Sequence, residues 1–178
     1  MQAVKEYIFS IAGLAQIVSI IGMIVSILSF QCKSTKKLCL MQACSSTLFG
    51  ISYIMLGAYT GAVSNGINIF RGTLYGLAPK KTRTVVCFCL IAAYSVGAIL
   101  TYQNVFSIIL LVAQVSGSIS MWYNNGKVLR IVQLAIISPI WLAYNIIYFN
   151  VGGILCECFC IISVIVSMIR YRSGKYEE

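Results

Sequence analysis

Residues Ala62 to Pro79 read AVSNGINIFRGTLYGLAP, a short hydrophobic stretch less apolar than the runs on either side of it. Asn65, Asn68, Arg71 and Tyr75 recur at spacings of three, three and four, so a helix gathers them on one side as a polar stripe. An arginine in the middle of a membrane span costs at least ~2.5 kcal/mol on insertion scales, and it therefore faces a partner or a wet cavity. A chain that keeps such a stripe within a bilayer is expected to handle something polar there.

Composition places the stripe in a membrane. The 178 residues are 60% hydrophobic and only 10% charged, with a mean hydropathy of +0.91. Soluble domains carry roughly 25% charged residues. An integral membrane protein is expected, with no room left for a separate soluble domain. The net charge of +9 would point to nucleic acid in a soluble protein. Here the basic residues sit in short loops between spans, and no basic run is long enough to track a phosphate backbone. No nucleic-acid partner is expected.

Histidine is absent, which removes histidine-based haem, zinc and Ser-His chemistry. The eight cysteines lie mostly in apolar runs, where cysteine behaves as a small hydrophobe. Cys32 falls in a basic loop assigned to the reducing cytoplasm, so no disulfide framework is expected. MQAVKEYIFS opens the chain with one lysine before an apolar run and no small-residue cleavage site. That pattern predicts an uncleaved first span rather than a signal peptide, and no lipidation motif is evident.

A helical span needs about 20 mostly apolar residues. This ruler predicts seven, at about 8–30, 38–62, 63–79, 84–102, 104–123, 128–149 and 152–171. Tight joints are expected at Ala62-Val63-Ser64, Tyr102-Gln103-Asn104 and Asn150-Val151-Gly152. Runs such as IISVIVSMI lack the alternation and turn spacing of barrel strands. The expected fold class is an all-α integral membrane protein.

Charge sets its orientation. Lys33, Lys36 and Lys37 follow the first span, Lys80, Lys81 and Arg83 the third. Lys127 and Arg130 follow the fifth, and Arg170, Arg172 and Lys175 the seventh. Loops after even-numbered spans carry none. The positive-inside rule then puts the N-terminus outside and the C-terminus in the cytoplasm. Among basic residues only Lys5 dissents, and Arg71 lies within a span.

The chain also repeats. A shift of 92 residues lays the first three spans on the last three and leaves Thr84–Tyr102 unpaired. Ser26-Ile27, Ser46, Phe49 and Gly61 then meet Ser118-Ile119, Ser138, Trp141 and Gly153. An odd linker gives both halves one orientation, so the repeat is parallel. The expected units are a first three-helix bundle over 1–79, a linker helix over 80–103, and a second bundle with a basic tail over 104–178.

The 3+1+3 layout resembles the SWEET and PQ-loop superfamily across nearly the whole chain, a group built from parallel repeats. The run LCLMQACSSTLFGISYIMLGAYTGAVSNGINIFRGTLYG, Leu38 to Gly76, resembles the YgjV-type bacterial inner-membrane family more closely. That resemblance implies a multi-pass protein of the bacterial inner membrane. The SWEET-like resemblance implies a midplane pocket, with an aromatic on the second helix of each repeat and an asparagine on the third. The matching aromatics are Phe49 or Tyr53 and Trp141 or Tyr144. Asn65 or Asn68 matches the asparagine in the first half, and Glu157 or Cys160 stands in its place in the second. The Pro-Gln pair of the loop family is absent, and Phe30-Gln31 and Trp122-Tyr123 stand near its place. Pro139 is the single proline expected within a span. Sugar transport is what the superfamily implies; Arg71 and Glu157, in place of a plain asparagine pair, count against a neutral sugar.

Each of these residues also has a plain structural reading. Arg71 is a solute contact or half of an ion pair, and Glu157, the one acid within a span, is the natural partner. A pair would offset two desolvation costs, whereas an unpaired Glu157 could carry a proton in a coupled cycle. Asn65 and Asn68 bind a solute or serve as interhelical glue. Gln42, Ser45 and Ser46 could line the same cavity, although serines in spans usually bond a backbone carbonyl. Trp141 and Tyr144 share a face, as do Phe49 and Tyr53, and aromatics in spans are most often packing or interface anchors. Gly57 and Gly61 form a G-x-x-x-G read as packing inside the bundle, a face that also permits a homo-oligomer. In LCECFC only Cys156 and Cys160 share a helix face, so packing is favoured over a metal.

The leading expectation is a SWEET-like transporter or facilitator of a small polar solute, a sugar or small anion, working by alternating access. Its binding residues would be Asn65, Asn68, Arg71, Tyr75, Phe49, Tyr53, Trp141, Tyr144 and Glu157. The alternatives are a non-transporting accessory or structural membrane protein, or a membrane sensor. No cofactor or metal is expected, and no enzymatic activity, because Cys and Ser nucleophiles lack a visible base. The expected partners are the lipid bilayer and the solute.

Overall fold

The computed structural model describes residues 10–29, 31–32, 35–77, 79, 81–123 and 125–172. Lys5, Phe30, Lys33, Lys80 and Lys175 lie outside them. Among the described residues there are seven long helices and no strand: α1 Ile11–Ser29, α2 Thr35–Met55, α3 Tyr59–Leu77, α4 Arg83–Leu100, α5 Val105–Tyr123, α6 Gly126–Ile147 and α7 Val151–Arg172. At 1.5 Å per residue each is roughly 27–33 Å long, the thickness of a hydrocarbon core. All but α3 are long and apolar enough to cross a membrane. α3 matches α1 in length, at 19 residues, and is set apart by its polar stripe.

Burial runs opposite to that of a soluble protein. Ile17, Ile21, Ile24 and Leu28 of α1, Phe88 and Ile99 of α4, and Ile162 and Ile169 of α7 point outward. Serine, asparagine and glutamine fill the interior, where Ser19, Ser52, Ser107, Ser118, Ser138, Gln114, Asn145 and Asn150 are buried. Lipid is as apolar as leucine, so packing here rests on small residues and hydrogen bonds rather than on excluding water from side chains.

The joint between α2 and α3 lies earlier than the spacing predicts. The second span stops at Met55 rather than Ala62, and the third starts at Tyr59. Gly57 takes φ +72°, a left-handed conformation that glycine adopts without penalty. The Ala58 N–H reaches back to the Tyr53 carbonyl at 2.8 Å, and that of Gly57 to Ile54 at 3.1 Å. This double bond closes the last turn of a helix. A glycine inside an unbroken apolar run carries no polar flag, which is why hydropathy misses the stop. The expected G-x-x-x-G face is therefore not formed. Gly57 caps α2, while Gly61 is on α3, facing Tyr144 and Tyr53, so the two do not share one helix face.

α6 ends in the same way, with Phe149 at φ 53° and the Asn150 N–H bonded to the Asn145 carbonyl at 2.9 Å. Asn150 then caps α7, its Oδ1 accepting from Gly153 N at 2.9 Å. α6 also contains one wide turn, Gln133–Ile137, in which the Ser138 N–H reaches the Gln133 carbonyl. Pro139 follows directly. A proline ring crowds the carbonyl four residues before it and offers no N–H, and a π-type turn accommodates both defects.

Consecutive helices are joined alternately at the two ends of the bundle. α2 lies between α1 and α3, and α6 between α5 and α7. α1 packs on α7 and α3 on α5, which closes these six helices into a ring; α4 lies outside it against α3 and α5. Among the described residues, Lys37, Lys81, Arg83, Lys127 and Arg130 fall near the joints α1–α2, α3–α4 and α5–α6, all at one end.

The contact of α7 with α1 is backbone against backbone. A Cβ on Gly152 would run into the Ser19 backbone, and Gly152 N donates to Ser19 Oγ at 3.2 Å. Gly152→Ala forces the helices apart. It is expected to cost about 1–3 kcal/mol, read as a lowered thermal midpoint of the purified protein in detergent. An unchanged midpoint would show that α1 and α7 are not in this register.

Candidate functional site

The ring surrounds a cavity of about 220 Å³. Each wall helix contributes one stripe at helical spacing. α2 supplies Gln42, Ser45, Ser46, Phe49 and Tyr53, and α3 supplies Asn65, Asn68, Arg71 and Gly72. α6 adds Gln133, Ile137, Trp141 and Asn145, and α7 adds Gly153, Cys156, Glu157 and Cys160. Ser26 of α1 and Met121 of α5 complete the lining.

One end is closed by hydrogen bonds. Tyr53 OH donates to Asn145 Oδ1 at 2.6 Å, forming the floor of the cavity. Beneath it, Gly61 N donates to Tyr144 OH at 2.9 Å and Asn150 Nδ2 to Ser52 Oγ at 3.3 Å. Ser52 Oγ in turn donates to the Ala15 carbonyl at 3.0 Å. Gln16 clamps the α6–α7 joint, donating to the Phe149 carbonyl at 2.6 Å and accepting from Val151 N at 2.9 Å. Gln103 does the same for the α2–α3 joint, donating to the Gly57 carbonyl at 2.8 Å and accepting from Tyr59 N at 3.1 Å. Thr60 Oγ1 ties α3 to the Thr101 carbonyl at 2.7 Å. The lining runs from this floor up to Gln42, Gly72, Met121 and Gln133, near the basic end.

Helix register sets the depth of each group. Phe49 and Trp141 lie six residues before the closed-end termini of α2 and α6, and Asn65 and Glu157 six residues after those of α3 and α7. The four thus share a level about 9 Å above the closed end. Arg71 lies six residues further along α3, about 9 Å nearer the basic end.

This offset explains why Arg71 and Glu157 form no ion pair among the described residues. Arg71 Nη1 donates instead to Gln114 Oε1 of α5 at 3.2 Å, and Tyr94 of α4 lies within hydrogen-bonding reach of the guanidinium. Glu157 Oε2 is closed off from solvent and accepts no hydrogen bond; the Ser138 hydroxyl lies beside the carboxylate. Asn65 Nδ2 donates to the Gly61 carbonyl at 3.0 Å, and Asn68 Oδ1 accepts from Tyr94 OH at 2.6 Å.

The structure therefore brings Phe49, Tyr53, Asn65, Asn68, Arg71, Trp141 and Glu157 onto one wall system, together with Gln42, Ser45 and Ser46. Tyr75 and Tyr144 do not line the cavity. Tyr75 is buried beside Cys87, Leu90 and Tyr94 and donates to the Ser118 carbonyl at 2.9 Å. Tyr144 packs edge-on to Trp141 and Tyr53, with centroids 5.9 Å apart in each case, and serves the closed end. Sequence reasoning missed Asn145, Gln133, Tyr94 and Gln114. The repeat carried a signal for Asn145, since it stands 92 residues after Tyr53. Nothing marked Tyr94 or Gln114, because each holds a stripe residue from a different helix.

All eight cysteines are free thiols. Cys156 and Cys160 face each other within the cavity wall and Ser26 lies beside Cys156, while Cys158 is exposed on the opposite face.

Tyr94→Phe keeps the ring and removes the hydroxyl that bonds Asn68 and lies within reach of Arg71. A loss of about 0.5–1.5 kcal/mol is expected, measured by denaturation in mixed micelles. A wild-type curve would mean that Asn68 is positioned by something else.

No curated protein and no solved structure matches the chain. A family model does match, over residues 13–175, a range that takes in the closed end, every wall residue and all of the seven helices but the first two residues of α1. The chain belongs to the Imp-YgjV family of bacterial inner membrane proteins and is a multi-pass protein of that membrane.

Proposed function

We propose that this protein moves a small polar solute across the inner membrane by alternating access, in the manner of SWEET-like carriers. One observation carries the reading. A cavity bearing an arginine, a glutamate and several amides lies within the membrane-spanning ring, closed at one end and lined almost to the other. Intramembrane charge is costly enough that it usually marks a solute or ion pathway. A merely structural bundle would fill that space with packed side chains.

The reading includes two parallel three-helix bundles, residues 1–79 and 104–178, with 80–103 as linker. Support comes from the cavity wall at the register of 92. Phe49, Tyr53, Asn65 and Asn68 line it, and so do their counterparts Trp141, Asn145, Glu157 and Cys160. The ring contacts obey the same exchange, because α1 on α7 maps to α5 on α3. Ligand sites at the interface of such repeats, near the midplane, are the common arrangement in secondary transporters.

With basic loops in the cytoplasm, the N-terminus is outside and the hydrogen-bonded end faces the periplasm. The cavity then belongs to an inward-facing state. Transport requires the bundles to rock, parting Tyr53 from Asn145 while the walls near Gln42 and Gln133 close.

Proteoliposomes offered a mixed pool of labelled sugars, amino acids and organic anions are expected to accumulate at least one of them. The double variant Asn68→Ala, Arg71→Ala loses a charged hydrogen-bonding group from the wall, and uptake should fall roughly tenfold or more. Equal uptake by a folded double variant would sink the transport reading.

A further inference from the structure

Arg71 and Glu157 both line the cavity, and among the described residues neither has an ion-pair partner. The partner of Arg71 is the neutral amide of Gln114, at 3.2 Å. Glu157 keeps Oε2 out of solvent with no donor on it. They stand at different levels, about 9 Å apart along the helix axes, so they cannot neutralise each other without a bridge.

Each charge excludes a class of solute. A neutral sugar satisfies neither. A simple anion at Arg71 adds a like charge to the cavity that holds Glu157, and a simple cation at Glu157 leaves Arg71 bare. Only a molecule with a cationic and an anionic end offsets both desolvation costs. The surroundings sort the two ends. Glu157 shares its level with Phe49 and Trp141, and aromatic rings favour an ammonium, including a quaternary one. Arg71 is a fork of donors suited to a carboxylate, with Asn68 on the same stripe. A volume of about 220 Å³ equals the share of roughly seven waters in the liquid, enough for a molecule the size of an amino acid.

We infer that the cavity binds a small zwitterion, its ammonium at Glu157 between Phe49 and Trp141 and its carboxylate at Arg71. The inference rests on reading the cavity as a solute site.

The test uses the purified full chain in detergent, titrated with glycine betaine, L-proline and L-serine as zwitterions. Choline, glycolate and D-glucose serve as cation, anion and neutral probes. At least one zwitterion is expected to bind about tenfold tighter than every single-charge or neutral probe. Glu157→Gln should shift preference towards glycolate, and Arg71→Gln towards choline. Opposite shifts in two variants cannot arise from general destabilisation. If D-glucose or a single-charge probe binds tighter than all three zwitterions, the zwitterion inference is overturned while a solute pathway stands. If no probe binds the wild-type chain, and proteoliposome uptake is also indifferent to Asn68→Ala with Arg71→Ala, both readings fall.

Discussion

In hydrocarbon a polar group must find its partner within the protein, because there is no water to take it. The closed end of this bundle is built around that constraint. Three helix joints meet there, each leaving backbone groups unpaired by its helix. Gln16 and Gln103 reach across to serve two of those joints with both ends of their amides. Thr60, Ser52, Asn150 and Tyr144 connect the rest. The bond from Tyr53 to Asn145 is the innermost member of the set, and it divides a satisfied polar layer from an unsatisfied one.

Above that bond the pattern reverses. The wall groups bond mainly to groups behind them, Asn68 to Tyr94, Arg71 to Gln114, and Asn65 and Ser45 to the Gly61 and Gly22 carbonyls. This division of labour gives α4 a role although it lies outside the ring: Tyr94 fixes the direction of the stripe without entering the cavity. Apolar packing forms the outer shell and an inner cluster of Phe49, Tyr53, Leu110, Ile137, Trp141 and Tyr144, while hydrogen bonds orient the polar wall residues. That arrangement leaves Arg71 and Glu157, both half-buried, without an ion-pair partner among the described residues.

Much of this could be read from the residues alone, for identifiable reasons. Hydropathy reports how much apolar surface a helix shows to lipid, and six of the spans declare themselves that way. α3 does not, yet its stripe does, because polar residues at spacings of three and four can only share one face. Two kinds of fact stayed hidden. The stop at Gly57 depends on one backbone angle in a run without polar punctuation. The partners of Asn68 and Arg71 lie on helices adjacent only in space, and Tyr75, at home in the stripe by spacing, turns to Ser118 because α5 happens to lie there. Periodicity ranks residues by face and says nothing of the neighbour beyond.

The wide turn in α6 has a counterpart nowhere in α2, which is α-helical from Thr35 to Met55. α2 is thus unbroken, whereas α6 carries a wide turn at Gln133–Ile137, on the basic-end side of Trp141. The two helices that meet at the cavity floor therefore differ in backbone hydrogen bonding. If the walls rock as proposed, α6 is the wall helix with a hinge already built into its backbone, between the basic end and the Tyr53–Asn145 bond.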